Sequence, residues 1–198
     1  INLQYKLGTL NIDNLPKDMN NISTQVQYLS KTIDTFKNFI KDKKSYKELV
    51  LQDEISQGLD ISKNILNSHN ITLKNNIDYD NKINIKLISG ELPQVLINII
   101  NNAKDILLEK KISKPWIRVD LDKIDNKIII SIEDNGGGIP DEVMPKIFEP
   151  YFTTKHQSQG TGLGLHMSYK IITESLKGKI WAKNTENGAK FFICFSIS

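Results

Sequence analysis

Asp134-Asn135-Gly136-Gly137-Gly138-Ile139-Pro140 and Gly160-Thr161-Gly162-Leu163-Gly164-Leu165 together hold six of the chain's eleven glycines within about thirty residues. Glycine lets backbone approach a ligand closely, and a helix that opens at a glycine-rich turn offers free N–H groups to an anion. Such a layout suits a phosphate-bearing ligand. It is neither the dinucleotide fingerprint nor the lysine-bearing phosphate loop, because no Gly-Lys-Ser/Thr follows the glycines. Two ordinary glycine-rich surface turns remain the alternative on this stretch alone. A second polar group lies upstream, in Gln94-Val95-Leu96-Ile97-Asn98-Ile99-Ile100-Asn101-Asn102-Ala103-Lys104-Asp105. Asn98 and Asn102 are four apart and share a helix face, and Asp105 extends the row by about a turn. Asparagine is a mediocre helix former, so its place beside an apolar stripe asks for a reason. A neutral amide oxygen suits Mg2+ that keeps its waters and bridges phosphates. The alternative is a plain polar face in an asparagine-rich protein.

Elements must position these residues. Ile128-Ile129-Ile130-Ser131-Ile132 reads as a buried strand running into the first glycine loop. Leu163, Leu165, Met167, Ile171, Ile172 and Leu176 fit a helix leaving the second loop and ending at Gly178. Glu91 to Leu108 is a helix with Leu92, Val95, Leu96, Ile99, Ile100, Ala103, Ile106 and Leu107 inward. Tyr46 to Val50 reads as a strand and Leu51 to Ser68 as a helix, with Ile55, Leu59, Ile65 and Leu66 on one side. Further strands are Ile71 to Ile77, Ile83 to Leu87, Trp116 to Leu121, Ile180 to Ala182 and Lys190 to Ser196. Trp116 to Leu121 pairs with 128–133 as a hairpin across Asp125-Asn126. The sum is an α+β domain, a layered sheet with helices on one face.

The first forty-odd residues differ. Ile12, Leu15, Met19, Ile22, Val26, Leu29, Ile33, Phe36 and Ile40 alternate at spacings of three and four, which is a heptad seam. Asp13 or Asn14 can cap this helix, with Pro16 in its first turn. Residues 15–42 would span roughly 40 Å. Such a helix must pair with another, and the lysine-rich 41–47 reads as a junction. The organisation is therefore 1–44 as part of a helical hairpin or dimerisation element and 45–198 as the α+β domain. A long core helix of a single domain is the alternative.

Composition narrows the partners. The 198 residues are 39% hydrophobic and 25% charged, as in soluble globular proteins. The net charge of +3 comes almost wholly from lysine, Arg118 being the only arginine. Those lysines are scattered among acids, so no nucleic-acid partner is expected. Cys194 is alone, which excludes an internal disulfide and suits a reducing compartment. No apolar run approaches the roughly twenty residues that span a bilayer, and no signal peptide opens the chain. The first residue is Ile, which suggests a piece of something longer.

Asn98-x-x-x-Asn102-Ala103, Asp134-x-Gly136-x-Gly138-Ile139, Phe148-Glu149-Pro150-Tyr151-Phe152-Thr153-Thr154-Lys155 and Gly160-x-Gly162-x-Gly164-Leu165 occur in the order and spacing of sensor histidine kinases. They resemble the asparagine, first glycine, phenylalanine and second glycine boxes of the catalytic ATP-binding domain. The resemblance covers about residues 45–198. It implies a two-layer α/β sandwich of the Bergerat type, a mixed sheet covered by helices. The heptad helix resembles the second helix of the dimerisation and phosphotransfer hairpin.

The resemblance further implies a nucleotide site, with ATP and Mg2+ as cofactors. Asp134 would accept a hydrogen bond from the adenine amino group, where guanine offers a carbonyl. Gly136, Gly138 and Ile139 would lie against the base. Asn102 would ligate Mg2+, and Asn98 would support the ion or a phosphate oxygen. Asp105 stands where many relatives have lysine and is placed near ribose or phosphates. Residues 150–161 would form a lid, with Lys155 and Thr161 reaching the phosphates as it closes. Gly160, Gly162 and Gly164, with Leu163 and Leu165, would aim the following helix at the same phosphates. Phe148 and Phe152 would fasten the base of the lid to the core. Related chaperone, gyrase and mismatch-repair ATPases use a Glu four residues before the metal-binding Asn as general base. Here Asn98 holds that position and cannot take a proton.

Of the chain's histidines, His69 precedes a strand, His156 lies in the lid and His166 follows the second glycine box. None resembles the phosphoacceptor, so this stretch has no catalytic residue of its own for autophosphorylation. The implied parent is a cytoplasmic kinase core, with or without an inner-membrane anchor, that dimerises through the hairpin and passes phosphate to a response regulator receiver domain. No membrane contact by this stretch is expected. A non-catalytic nucleotide-binding and dimerisation module is the alternative.

Overall fold

The computed structural model describes residues 45–155 and 161–196, together with Met19. The heptad helix, the expected 1–44 hairpin domain, His156 and Gly160 lie outside the described residues. The elements run β1 (Lys47–Val50), α1 (Leu51–Ser68), β2 (Thr72–Asn76), β3 (Asn84–Leu87), α2 (Glu91–Glu109), β4 (Trp116–Ile124) and β5 (Lys127–Asp134). A short 3-10 turn at Met144–Lys146 follows, then α3 (Gly164–Lys170), a π-helical extension over Ile171–Ser175, β6 (Lys179–Asn184) and β7 (Ala189–Ser196). Five strands form the main sheet in the order β2-β4-β5-β7-β6. β2 runs parallel to β4, and the remaining pairs are antiparallel. β1 and β3 form a separate two-stranded antiparallel ribbon. The architecture is the expected mixed sheet with helices.

Alternation along the strands decides which face the helices cover. Ile117 and Val119 on β4, Ile128, Ile130 and Ile132 on β5, and Phe191, Ile193 and Phe195 on β7 are buried. They meet Leu51, Ile55, Leu59 and Leu66 of α1 and Leu92, Val95, Leu96, Ile99, Ile100 and Leu107 of α2 in one apolar cluster. The opposite face carries Trp116, Arg118, Asp120, Ser131, Glu133, Lys190, Phe192 and Trp181, because a period of two sends each neighbour outward. The two helices cross closely at Gly58, where a Cβ would sit 3.2 Å from the Leu96 Cβ and from Pro93. Glu54 joins α1 to the turn before α2 by accepting from the Ser89 hydroxyl (3.0 Å) and the Gly90 N–H (2.9 Å).

Two expectations need correction. Ile65 is 40% exposed rather than inward. The buried stripe of α1 passes instead through Ser62, whose hydroxyl donates to the Gly58 carbonyl at 2.9 Å and so satisfies itself inside the core. Ile106 is only half-buried. It lies at the edge of the core beside the first glycine loop, its Cγ2 2.8 Å from where a Gly136 Cβ would stand.

Candidate functional site

β5 delivers Asp134 to the end of the sheet, where the strand gives way to the glycine loop. Asp134 is 6% exposed. Its Oδ1 accepts the Gly136 N–H at 2.8 Å and the Ala189 N–H at 3.4 Å. No described residue donates to its Oδ2. Burial raises the pKa of this carboxyl above the ordinary aspartate value. The two N–H groups and the Lys110 charge oppose that rise, while neighbouring Glu133 adds to it.

The loop after Asp134 is shaped by its surroundings. A Cβ at Gly136 would meet Ile106 Cγ2 at 2.8 Å and Asp134 Oδ1 at 3.0 Å, so any larger residue would displace the carboxylate or the helix. Lys110 Nζ donates to the Gly136 carbonyl at 2.7 Å. Asn135 faces away from the site: its Oδ1 accepts the Trp116 N–H (2.8 Å) and its Nδ2 donates to the Lys114 carbonyl (2.9 Å). Ile139 is half-buried, and its backbone is held by Asn184.

The polar row of α2 lies toward α3. Asn98 Nδ2 is 3.4 Å from both the Gly164 carbonyl and Ser168 Oγ, which links the asparagine box to the second glycine box. Asn98 therefore acts as a donor here. Asn102 is half-buried, and its side chain bonds no described residue. Asp105 accepts from Lys104 at 2.6 Å and from Lys155 at 2.7 Å. Burial pushes the Asp105 carboxyl upward, but the hydrogen bonds and charges of Lys104 and Lys155 outweigh it and leave the pKa below the ordinary value. The family resemblance implies that Lys155 reaches the phosphates as a lid closes; in the structure its ammonium rests on Asp105.

Tyr151 of the third box and Gly162 of the fourth meet backbone to backbone. Tyr151 has φ +63°, unusual for a residue with a side chain. Gly162 (φ +64°) presses on it so closely that a Cβ would come within 2.3 Å of the Tyr151 carbonyl carbon. Thr153 Oγ1 accepts the Lys155 N–H and Thr161 Oγ1 the Leu163 N–H, at 3.1 and 3.2 Å. Phe148 packs on Phe191, ring centroids 6.5 Å apart, and on Tyr169 at 5.5 Å. Phe148 is thus packed partly buried against the core, and Phe152 is half-buried as well. Leu163 is buried, Leu165 packs partly buried against the core, and a Cβ at Gly164 would meet nothing within 4 Å. His166 Nδ1 lies 2.9 Å from the Phe148 carbonyl, and His69 is an exposed residue at the end of α1.

The structure thus brings Asp134, Gly136, Gly138 and Ile139 to one end of α2, and Asn98, Gly164 and Lys155 to its flank. Sequence reasoning missed Lys110, Ile106 and the β6–β7 turn (184–189). Only the turn left a signal, the Asn187-Gly188 pair between two apolar runs.

A family model described as "Histidine kinase-, DNA gyrase B-, and HSP90-like ATPase" matches residues 88–198. The two-component sensor PprA of Pseudomonas aeruginosa is 37% identical over 112 residues, 53% of this chain and 12% of that protein. The chain thus aligns with only about an eighth of that relative's length. The catalytic domain of the histidine kinase ThkA superimposes with a TM-score of 0.64 at 30% identity, covering 77% of this chain and 95% of that one. ThkA in complex with the response regulator protein TrrA gives a TM-score of 0.72 at 25% identity, over 99% of this chain and 55% of that one. Among the described residues no helix is long and apolar enough to cross a membrane. Two glycine boxes, an asparagine-bearing helix and a buried aspartate at the strand end, together with these likenesses, lead to one statement: the chain belongs to the histidine kinase, DNA gyrase B and HSP90-like ATPase family and carries the ATP-binding domain of a sensor histidine kinase.

Proposed function

We propose that this domain binds Mg-ATP and donates its γ-phosphoryl group to a histidine on a helical hairpin, from which it passes to an aspartate of a response regulator. The observation that carries the reading is the Asp134 carboxylate, buried at the strand end with one oxygen tied to backbone N–H groups and the other free. That oxygen would accept the adenine amino hydrogen; the guanine carbonyl at the same place would face it with repulsion. Gly136, Gly138 and Ile139 would line the base. Lys155, Thr161 and the backbone of the second glycine box, Gly160 to Leu165, would meet the phosphates, with Lys155 exchanging Asp105 for a phosphate oxygen.

The donor set fits a magnesium ion of limited protein ligation. No trio of His, Cys, Asp or Glu among the described residues is placed to hold a metal. The cation would therefore take the Asn102 amide oxygen together with phosphate oxygens and water. Mg2+ would supply neutralisation of charge on the phosphates. Asn98, an amide engaged with Gly164 and Ser168, has no capacity to deprotonate water. A site without a base suits transfer to a nucleophile brought from another domain, since phosphoryl transfer rests on alignment and charge stabilisation. The likeness to ThkA, solved with a response regulator, supports the relay and a receiver-domain partner. Dimerisation through the hairpin and a cytoplasmic location of this domain belong to the same reading.

Two experiments test it. Asp134→Asn should weaken ATP binding in calorimetry by roughly 2–3 kcal/mol, the cost of pairing a buried acceptor site with the wrong partner. Unchanged affinity would refute the placement of adenine. Labelled ATP mixed with this chain and a separately made hairpin bearing the acceptor histidine should yield phosphohistidine. ATP binding without any phosphohistidine would leave a nucleotide-binding and dimerising module instead.

A further inference from the structure

The β6–β7 turn and the residues flanking it meet the end of β5 at two places and the first glycine loop at two more. Ala189 N–H reaches Asp134 Oδ1 (3.4 Å), and Thr185 Oγ1 donates to Glu133 Oε1 (2.8 Å). The Gly137 N–H donates to the Asn187 carbonyl at 3.1 Å. The strongest contact is at Asn184. Its Oδ1 accepts the Ile139 N–H at 2.8 Å while its Nδ2 donates to the Ile139 carbonyl at 2.7 Å. One carboxamide thus satisfies both backbone groups of one loop residue, as a neighbouring β-strand would. The turn is itself braced, because Thr185 Oγ1 accepts the Asn187 and Gly188 N–H groups at 3.3 and 3.1 Å.

We infer that Asn184 is a positioning residue of the nucleotide site, holding the Gly136–Ile139 loop in its ligand-ready shape before any ligand arrives. The inference rests on the Mg-ATP reading above. It also reassigns Gly138. That residue sits at φ +80°, and a Cβ there would stand 2.8 Å from Asn184 Oδ1 and 3.0 Å from its Cγ. The positive φ alone strains any side chain at this position, and the Asn184 amide crowds a Cβ further, so the glycine suits the clamp as well as the turn. A loop released from the clamp would have to be ordered at the moment of binding, and affinity would fall by the fraction of molecules in the competent shape.

The test uses the whole 198-residue chain with ATP and ADP in the presence of Mg2+. Asn184→Ala should weaken both nucleotides about tenfold, equivalent to roughly 1.4 kcal/mol, with the far-UV spectrum and most of the melting temperature retained. Asn184→Asp, which keeps the acceptor but turns a carboxylate oxygen on the Ile139 carbonyl where the amide donated, should weaken binding at least as much as Asn184→Ala. In transfer to a hairpin in trans the loss should appear in KM for ATP and leave kcat within about twofold, because the clamp acts on the loop and not on the phosphates. Amide exchange at Gly137 and Ile139 should accelerate in Asn184→Ala while the β4 and β5 amides stay protected. Gly138→Ala should cost less in the Asn184→Ala background than in wild type, since the amide it strikes is gone. Unchanged nucleotide affinity in Asn184→Ala, or a lower melting temperature with no change in affinity, would overturn the inference. Failure of the wild-type chain to bind ATP would instead overturn the reading on which it rests.

Discussion

The carboxylates of the site are tuned in opposite directions, and each has its own consequence. Burial raises the Asp134 pKa, and only the ionised form offers a full acceptor to adenine. If adenine pairs with Asp134 as proposed, ATP affinity should begin to decline at a higher pH than an ordinary aspartate would dictate, a trend that calorimetry taken down through the ordinary aspartate range would reveal and Asp134→Asn would lack. Asp105 behaves conversely. Its folded pKa lies below the value of 3.8, so its contribution to stability is fully present above the unfolded pKa and disappears as pH falls through the lower, folded one. Asp105→Asn should accordingly be less stable than wild type in urea at pH 7, and the gap should close below the ordinary aspartate pKa. The same variant frees Lys155 from its partner. The family resemblance marked Asp134, and spacing marked the glycine clusters and the asparagine row. Neither could mark Lys110 or Asn184, which reach the loop only once distant segments have folded together.

At the level of elements, hydrophobic period did most of the work and failed where a polar or small residue replaced an apolar one. The bounds of α1 follow from its pattern, yet Ser62 occupies the buried stripe and Ile65 the surface, a reversal that residue type cannot announce. The contact at Gly58 is of the same kind. Gly58→Val should overpack the α1–α2 crossing and cost about 1–3 kcal/mol in urea unfolding, whereas Ile65→Ala, at an exposed position, should cost well under 1 kcal/mol. The separate β1–β3 ribbon was also illegible, because strand propensity says nothing about partners. The π-helical end of the helix after Gly164 had no sequence signal either, although its apolar face and its stop at Gly178 did.

For the whole molecule the order of the boxes conveyed the fold more firmly than any element did, since four segments must converge on one site in a fixed sequence. Their convergence couples ligand to stability. A nucleotide that binds only the folded chain should raise its unfolding free energy by about 2.7 kcal/mol at a hundred times Kd. Thermal melts with and without Mg-ATP would measure this, and Asp134→Asn should forfeit the gain.

Both tryptophans lie on the sheet face turned from α1 and α2. Trp181 stacks on Phe192 with centroids 5.2 Å apart, and Trp116 lies beneath the Lys74 ammonium at 4.3 Å. Light emitted by these rings should therefore register the integrity of the sheet and stay nearly indifferent to whatever occupies the pocket. An optical readout of unfolding thus comes built into the polypeptide, most independent of bound nucleotide at Trp181, since Trp116 is bonded to Asn135 of the first glycine loop.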